Sequence, residues 1–272
     1  MLLTLESNTK LNNGIGIPLL GLGVYQSPPG KTTERAVSYA LKIGYRHFDT
    51  ASLYGNESDV GKALRQSGRR REEVFITTKV WNSEQGYDTT LQAYERSLRR
   101  LGLTYVDLYL IHWPVQGTSM ETWKAMIHIL QEGKARAIGV SNYTIADLQE
   151  ILHNSKDVVP AVNQVEFHPF LYQRQLLEYC KNNNIQLEAY SPLTRGKRLD
   201  HQTIVEIAKK YNKTSAQVLI RWSLQHGAVV IPKSIHEDRI RENSQVFDFH
   251  LEPDDMSLLD SLNENLQTVF LD

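Results

Sequence analysis

Val74-Phe75-Ile76-Thr77-Thr78-Lys79, an amphipathic stretch over residues 89–101, and then Val106-Asp107-Leu108-Tyr109-Leu110-Ile111-His112 decide how the rest of the chain is read. Each apolar run is short and rich in β-branched and aromatic residues, which suits a strand better than a helix. Neither run alternates strictly between apolar and polar, as a strand with one wet face would. Strands covered on both faces belong to parallel sheets, because right-handed crossovers lay helices over them.

Outward from this passage the same alternation continues. Towards the amino terminus, strands are expected over residues 22–25 and 47–50, with helices over 34–43 and 58–65. In the first of these helices Ala36, Tyr39, Ala40 and Ile43 recur at helical spacing. Towards the carboxyl terminus, strands are expected over 135–140, 162–167, 186–190 and 228–231. Helices fall over 121–131, 145–152, 174–181, 203–211 and 215–225, with further helical patterns near Asp238 and Met256. Eight strand–helix units in about 250 residues fit a closed (β/α)8 TIM barrel. An N-terminal β-hairpin is expected before it, residues 2–6 and 15–18 flanking Asn12-Asn13-Gly14. No linker or low-complexity tract divides residues 1–272, so the chain reads as one barrel domain.

An open, doubly wound sheet is disfavoured by the glycines. Gly14-x-Gly16 runs into Leu19 and Gly21-x-Gly23 into Gln26, so neither completes a dinucleotide fingerprint. Gly30-Lys31-Thr32 resembles the end of a phosphate loop, but Tyr25 stands where its first glycine is required.

The 272 residues carry 30 Lys+Arg against 31 Asp+Glu, a formal charge of -1, which lacks the long-range field of a general nucleic-acid binder. One cysteine, Cys180, excludes an internal disulfide framework and a cysteine-cluster metal site. The first residues show no charged region followed by an apolar one, and the uncharged run over 11–30 holds five glycines and three prolines. Neither a signal peptide nor a membrane helix is expected, and the expected location is cytoplasmic.

In a barrel of this kind, reactive groups sit at the carboxyl ends of the strands. Those ends supply Asp49, Lys79, His112, Ser141-Asn142, Gln164 to His168, Tyr190-Ser191 and Lys233-Ser234. Each has an ordinary reading: a turn aspartate, a snorkelling strand-end lysine, a core histidine. Asp49, Lys79 and His112 nevertheless fall on the second, third and fourth barrel strands, which are neighbours. Tyr54 lies five residues beyond Asp49. A nearby ammonium is expected to lower a phenol from its usual pKa of ~10 and make it a proton donor and acceptor. Such a set suits protonation of a carbonyl oxygen. Lys79 as a Schiff-base nucleophile, or His47, Asp49 and His112 as metal ligands, are the enzymatic alternatives. Glu166 and His168 could imitate a metal pair, but Pro169 suggests a strand end or turn, and no metal site is expected.

At these residues the chain resembles the aldo-keto reductases. The resemblance is carried by Gly44-Tyr-Arg-His-Phe-Asp49-Thr-Ala51 with Tyr54, Glu57 and Gly61, by Ile138-Gly-Val-Ser-Asn-Tyr143, and by Ile231-Pro-Lys-Ser234 with Arg239, Glu242 and Asn243. Thr77-Thr-Lys79, Leu110-Ile-His-Trp113 and Asn163-Gln-Val-Glu-Phe-His-Pro169 fall between them in family order.

The resemblance implies an NADPH-dependent reduction of aldehydes and ketones on a (β/α)8 barrel. It implies Tyr54 as general acid, Lys79 and Asp49 as its tuning partners, and His112 as the group orienting the carbonyl. Ser141, Asn142 and Gln164 would hold the nicotinamide carboxamide, Tyr190 would stack on the ring, and Ser191 and Leu193 would contact the pyrophosphate. Lys233, Ser234 and Arg239 suit an adenosine 2′-phosphate, with Glu242 and Asn243 near the adenine. Tyr25, Trp81, Trp113 and His112 would line the substrate mouth. Short segments after His112 and after Asn243 resemble compact microbial members of the diketogluconate reductase and aldehyde reductase type. A monomer acting on a small carbonyl compound is expected. The alternative from another class is a barrel that binds NADPH without turnover.

Overall fold

The computed structural model describes residues 3–155 and 158–270. Strands β1 (Asn8–Lys10) and β2 (Gly16–Pro18) pair antiparallel, Asn8 opposite Pro18 and Lys10 opposite Gly16. The chain reverses at Asn12-Asn13-Gly14, where Leu11 N–H donates to the Ile15 carbonyl at 2.8 Å. The first arm differs from the expected 2–6. A tight loop pins the pairing to the residues beside it, so Asn8–Lys10 forms the arm. Leu2 lies outside the described residues, and Ser7 N–H closes a turn onto the Thr4 carbonyl at 3.0 Å.

The alternation then proceeds as β3 (Leu22–Gly23), α1 (Lys31–Ile43), β4 (His47–Asp49), α2 (Glu57–Gln66), β5 (Phe75–Val80), α3 (Tyr87–Leu101), β6 (Val106–Ile111) and α4 (Ser119–Gln131). It continues with β7 (Ala135–Ser141), α5 (Ile145–Asn154), β8 (Val162–Glu166), α6 (Arg174–Asn182), β9 (Gln186–Tyr190), α7 (Gln202–Tyr211), α8 (Ser215–Gln225) and β10 (Val229–Val230). Helices α9 (Glu237–Ser244) and α10 (Pro253–Asp260) follow.

Strands β3 to β10 form one eight-stranded sheet in sequence order, and every neighbouring pair is parallel. The ends of this sheet meet. Gly21 N–H donates to the Val230 carbonyl and Val230 N–H to the Leu19 carbonyl, each at 2.9 Å, which closes a (β/α)8 TIM barrel. The seam strands β3 and β10 are shorter than the expected 22–25 and 228–231. Backbones crowd there: a Cβ on Gly23 would stand 2.9 Å from the Ile231 carbonyl oxygen.

Two apolar layers hold the barrel. Inside it, Phe75, Leu108, Leu110, Ala137, Val162 and Val229 pack with Leu11 and Ile17. The hairpin thus plugs the end at which the strands begin. Outside, Tyr45, Phe48, Tyr94, Trp123 and Trp222 are buried between strands and helices. Helices α5 and α8 start at capping boxes, Thr144 with Asp147 and Thr214 with Gln217. Within α2, a Cβ on Gly61 would fall 1.9 Å from the Leu101 carbonyl oxygen, so the contact with the end of α3 requires glycine there. With one end plugged and the outside jacketed, the opposite end of the barrel, where the strands terminate, is left open.

Candidate active site

At that open end the barrel buries charge. Asp49 ends β4, Lys79 lies one residue from the end of β5, and the Lys79 side chain is 0% exposed. Burying two charges costs several kcal/mol unless their remaining hydrogen-bonding capacity is met. Here it is met. Lys79 Nζ donates to Asp49 Oδ1 at 2.6 Å and to the Thr50 carbonyl at 3.0 Å, and lies 3.4 Å from the Tyr54 hydroxyl. Asp49 Oδ2 accepts from Gln164 Nε2 at 2.8 Å.

Tyr54 comes from the short 3-10 turn Ser52–Tyr54 after β4. That loop is locked by Asn56, which is buried, donates to the carbonyls of Val24 and Ser27, and accepts from Thr50 Oγ1 at 2.8 Å. His112 follows β6, and its Nε2 stands 3.4 Å from the Tyr54 hydroxyl. The imidazole is wedged edge-on between Trp81 and Tyr54, and Asn142 Nδ2 donates to its carbonyl at 2.9 Å.

The electrostatics overturn one sequence expectation. The Tyr54 phenol is not acidified: burial, followed by the charge of Asp49, pushes it well above its usual value. The Lys79 ammonium is engaged by Asp49 at much shorter range than by the phenol, and burial disfavours phenolate. Burial and the Lys79 charge drive His112 well below the usual histidine range. At neutral pH the site therefore holds a protonated phenol beside a neutral imidazole.

Asp49, Tyr54 and His112 open onto a cleft of about 900 Å³. Tyr25, Trp81 and Trp113 line it beside Tyr54, with Leu53 among them. Ser141, Asn142, Gln164, Tyr190, Ser191 and Leu193 line the same cleft, as do Lys233, Ser234, Arg239, Glu242 and Asn243. Of the residues expected to touch cofactor or substrate or to act in catalysis, all except Lys79, which is sealed beneath them, line this cleft, while His47, Glu166 and His168 do not. Hydrogen bonds brace part of this lining: Tyr190 donates to Asn142 Oδ1 at 2.8 Å, and Ser141 Oγ to the Gln164 carbonyl at 2.8 Å. Glu242 accepts from Thr214 Oγ1 at 2.8 Å.

Local sequence patterns missed the carboxyl-terminal tail. Val269 and Phe270 line the cleft. The tail is held by Glu166, whose carboxylate accepts from Thr268 N–H, Val269 N–H and the Thr268 hydroxyl. Arg195 grips it too, donating to the Thr268 carbonyl at 3.0 Å and to Gln26 Oε1 at 2.8 Å. Glu166 and His168 do lie together, at 3.0 Å, but in service of this clasp. The alternation of Gln164 with Glu166 was the one available signal that both face inward. Glu188, on β9, was also missed; it takes a hydrogen bond from Gln164 Nε2 at 2.7 Å.

Fold and cleft together define a (β/α)8 barrel with a cluster of buried titratable groups at the carboxyl ends of its strands. Residues 15–264 match the model of the Aldo/keto reductase family, and the chain belongs to that family. It is 51% identical over 262 residues to glyoxal reductase of Bacillus subtilis, covering 96% of this chain and 95% of that protein. Among solved structures it is similar to an aldo-keto reductase enzyme from a Medee basin deep-sea metagenome library, at TM-score 0.94 and 45% identity over 97% of both chains. A Bombyx mori aldo-keto reductase in complex with NADP superposes at TM-score 0.91 and 35% identity, covering 97% of this chain and 95% of that one.

Proposed function

We propose that the protein reduces aldehydes and ketones to alcohols with NADPH, as one barrel unit, with Tyr54 as the proton donor. The observation that carries the reading is the pairing of two features in one cleft. A phenol, a neutral imidazole and a buried Lys79–Asp49 pair share that cleft with two cations, Lys233 and Arg239, that have no ion-pair partner among the described residues.

The residues fit the cofactor. Lys233 and Arg239 have no carboxylate within ion-pairing distance among the described residues, although both line the cleft. Lys233 is solvent-accessible, yet partial desolvation by the cleft lowers its ammonium below the usual lysine range. An ammonium and a guanidinium held this way, with the Ser234 hydroxyl, suit a phosphate monoester. Glu242 and Asn243 lie beside them for the adenine, and Ser191 and Leu193 for the pyrophosphate. Gln164, Ser141 and Asn142 present amide and hydroxyl groups for the carboxamide, with the Tyr190 ring available for stacking. NADPH bound there supplies the hydride.

The chain's own residues do the rest. His112, neutral, donates from Nε2 to the carbonyl oxygen and orients it towards Tyr54. The Tyr54 hydroxyl delivers its proton as charge develops on that oxygen. Lys79 holds a positive charge 3.4 Å from the phenol oxygen, ready to stabilise the phenolate left behind. Asp49 holds the Lys79 side chain in place. Tyr25, Trp81 and Trp113 exclude water around the reacting carbon.

The engagement of Lys79 Nζ by Asp49, Thr50 and Tyr54 favours this supporting role over a Schiff base, which needs a free amine. The test is consumption of NADPH by the purified protein against aldehydes, ketones, sugars and dicarbonyls such as glyoxal, with NADH in parallel. Saturable NADPH oxidation with at least one carbonyl class supports the reading. Tight NADPH binding without turnover on any of them replaces it with the non-catalytic barrel.

A further inference from the structure

Strand β9 carries a carboxyl group that the proposed reduction does not use. Glu188 is fully buried inside the barrel. It stands opposite Gln164 in the β8–β9 register, and its Oε2 accepts from Gln164 Nε2 at 2.7 Å. The same nitrogen donates to Asp49 Oδ2 at 2.8 Å. An amide nitrogen has two hydrogens, so both are committed, one to β4 and one to β9. The flipped amide would set its carbonyl oxygen against Asp49 Oδ2, whose carboxyl group is paired with Lys79, and this fixes the assignment on physical grounds. Gln164 Oε1 then remains as the group turned to the cleft, with no partner among the described residues and not sealed from solvent.

We propose that Glu188 is a positioning residue for the nicotinamide end of the cofactor. With Asp49 it sets the orientation of the Gln164 amide, so that Oε1 accepts from the carboxamide NH2. This rests on the reading of Gln164 as a cofactor contact.

The surroundings of Glu188 suit the task. Burial and the neighbouring Asp49 charge raise its carboxyl to about 8, so it is a neutral acid at pH 7. Its Oε1 lies 3.4 Å from His47 Nε2, on an imidazole that burial lowers to about 3 and which stays neutral. Gln164 is thereby shared between two acceptors on opposite sides, Asp49 on β4 and Glu188 on β9. A neutral apolar residue at 188 would leave one Gln164 hydrogen unbonded and free the amide to turn.

The test compares the affinities of NADP+ and 2′-phospho-ADP-ribose, which lacks only the nicotinamide, by tryptophan-fluorescence titration of the full chain. Glu188→Leu is expected to reduce the advantage of NADP+ over the fragment by about tenfold, the worth of one buried hydrogen bond. Fragment affinity should hold, which shows that the fold and the phosphate site are intact. Glu188→Gln should restore the advantage, because its amide oxygen accepts the same hydrogen. Gln164→Leu is run beside them. If it keeps the full advantage, Gln164 does not touch the carboxamide and the underlying reading fails. If Gln164→Leu loses the advantage while Glu188→Leu keeps it, the positioning role alone is overturned. Equal weakening of both ligands in Glu188→Leu, or a Glu188→Gln as impaired as the leucine variant, overturns it as well.

Discussion

Lys79 Nζ meets Asp49 Oδ1 at 2.6 Å with neither side chain more than 3% exposed. The pair sits inside the barrel wall, one partner on β4 and one on β5, and its ammonium is the nearest positive charge to the Tyr54 hydroxyl. Its geometry supports both stability and chemistry, and the two contributions separate experimentally.

Lys79→Met leaves the Asp49 carboxylate buried without its cation. The expected loss is ~3–5 kcal/mol of stability, together with loss of carbonyl reduction. Adding Asp49→Leu removes the stranded charge and should return most of the stability while activity stays absent. Urea denaturation of both variants, with turnover measured alongside, checks this.

Tyr54→Phe removes one oxygen and keeps the ring that faces Tyr25 and His112. NADPH affinity should stay within about threefold, while kcat/KM for any carbonyl substrate falls by ~10²–10⁴, the usual worth of a positioned acid. A variant that retained full reduction would remove Tyr54 from its role.

Arg239→Ala removes from the cleft a guanidinium that has no carboxylate partner among the described residues. Loss of one charge-assisted hydrogen bond predicts a KM for NADPH raised by ~10- to 100-fold, with KM for NADH unchanged. Steady-state kinetics with both cofactors decide it, and equal effects on the two would mean that the guanidinium does not read the 2′-phosphate.

Stability should carry the signature of Glu188 as pH rises. An unfolded glutamate ionises near 4.5 and this one at about 8 when folded. Between those values the unfolded chain has released a proton that the folded chain retains, so stability falls with rising pH and levels off above the folded value. Asp49 and Lys79 from β4 and β5, and His47 from β4, are the ionisable groups facing it. His47 acts in the opposite sense, its folded value of about 3 lying below the usual 6.5, so its contribution is lost as pH falls through that range. Glu188→Gln should become progressively more stable relative to the wild type from about pH 5 to 8, read by urea denaturation at each pH. A constant difference would contradict the account.

Much of this molecule was legible before any coordinates. The eight-strand alternation could be read because strands buried on both faces form continuous apolar runs, and because the groups that end them are conspicuous in that setting. The first hairpin arm was misplaced because Leu3 and Leu5 look more strand-like than Asn8 to Lys10. Loop geometry, which hydrophobicity does not report, set the pairing there. Tail residues Val269 and Phe270 carried no local signal, since their place in the cleft depends on Glu166, about a hundred positions earlier in the chain.

By itself the sequence determined the architecture, the order of the barrel strands and the residues that cluster at their carboxyl ends. Those follow from short continuous apolar runs alternating with segments of 3.6-residue periodicity, and from where polar groups end the apolar runs. Only the tertiary structure decided the protonation state of the cluster. A phenol beside an ammonium is acidified in water, but here burial and the closer claim of Asp49 on Lys79 reverse the sign. It also revealed that the Gln164 amide is gripped by Asp49 and Glu188. Such couplings join distant segments, and their sign and strength depend on distance and dielectric, neither of which is written in a linear string of residues.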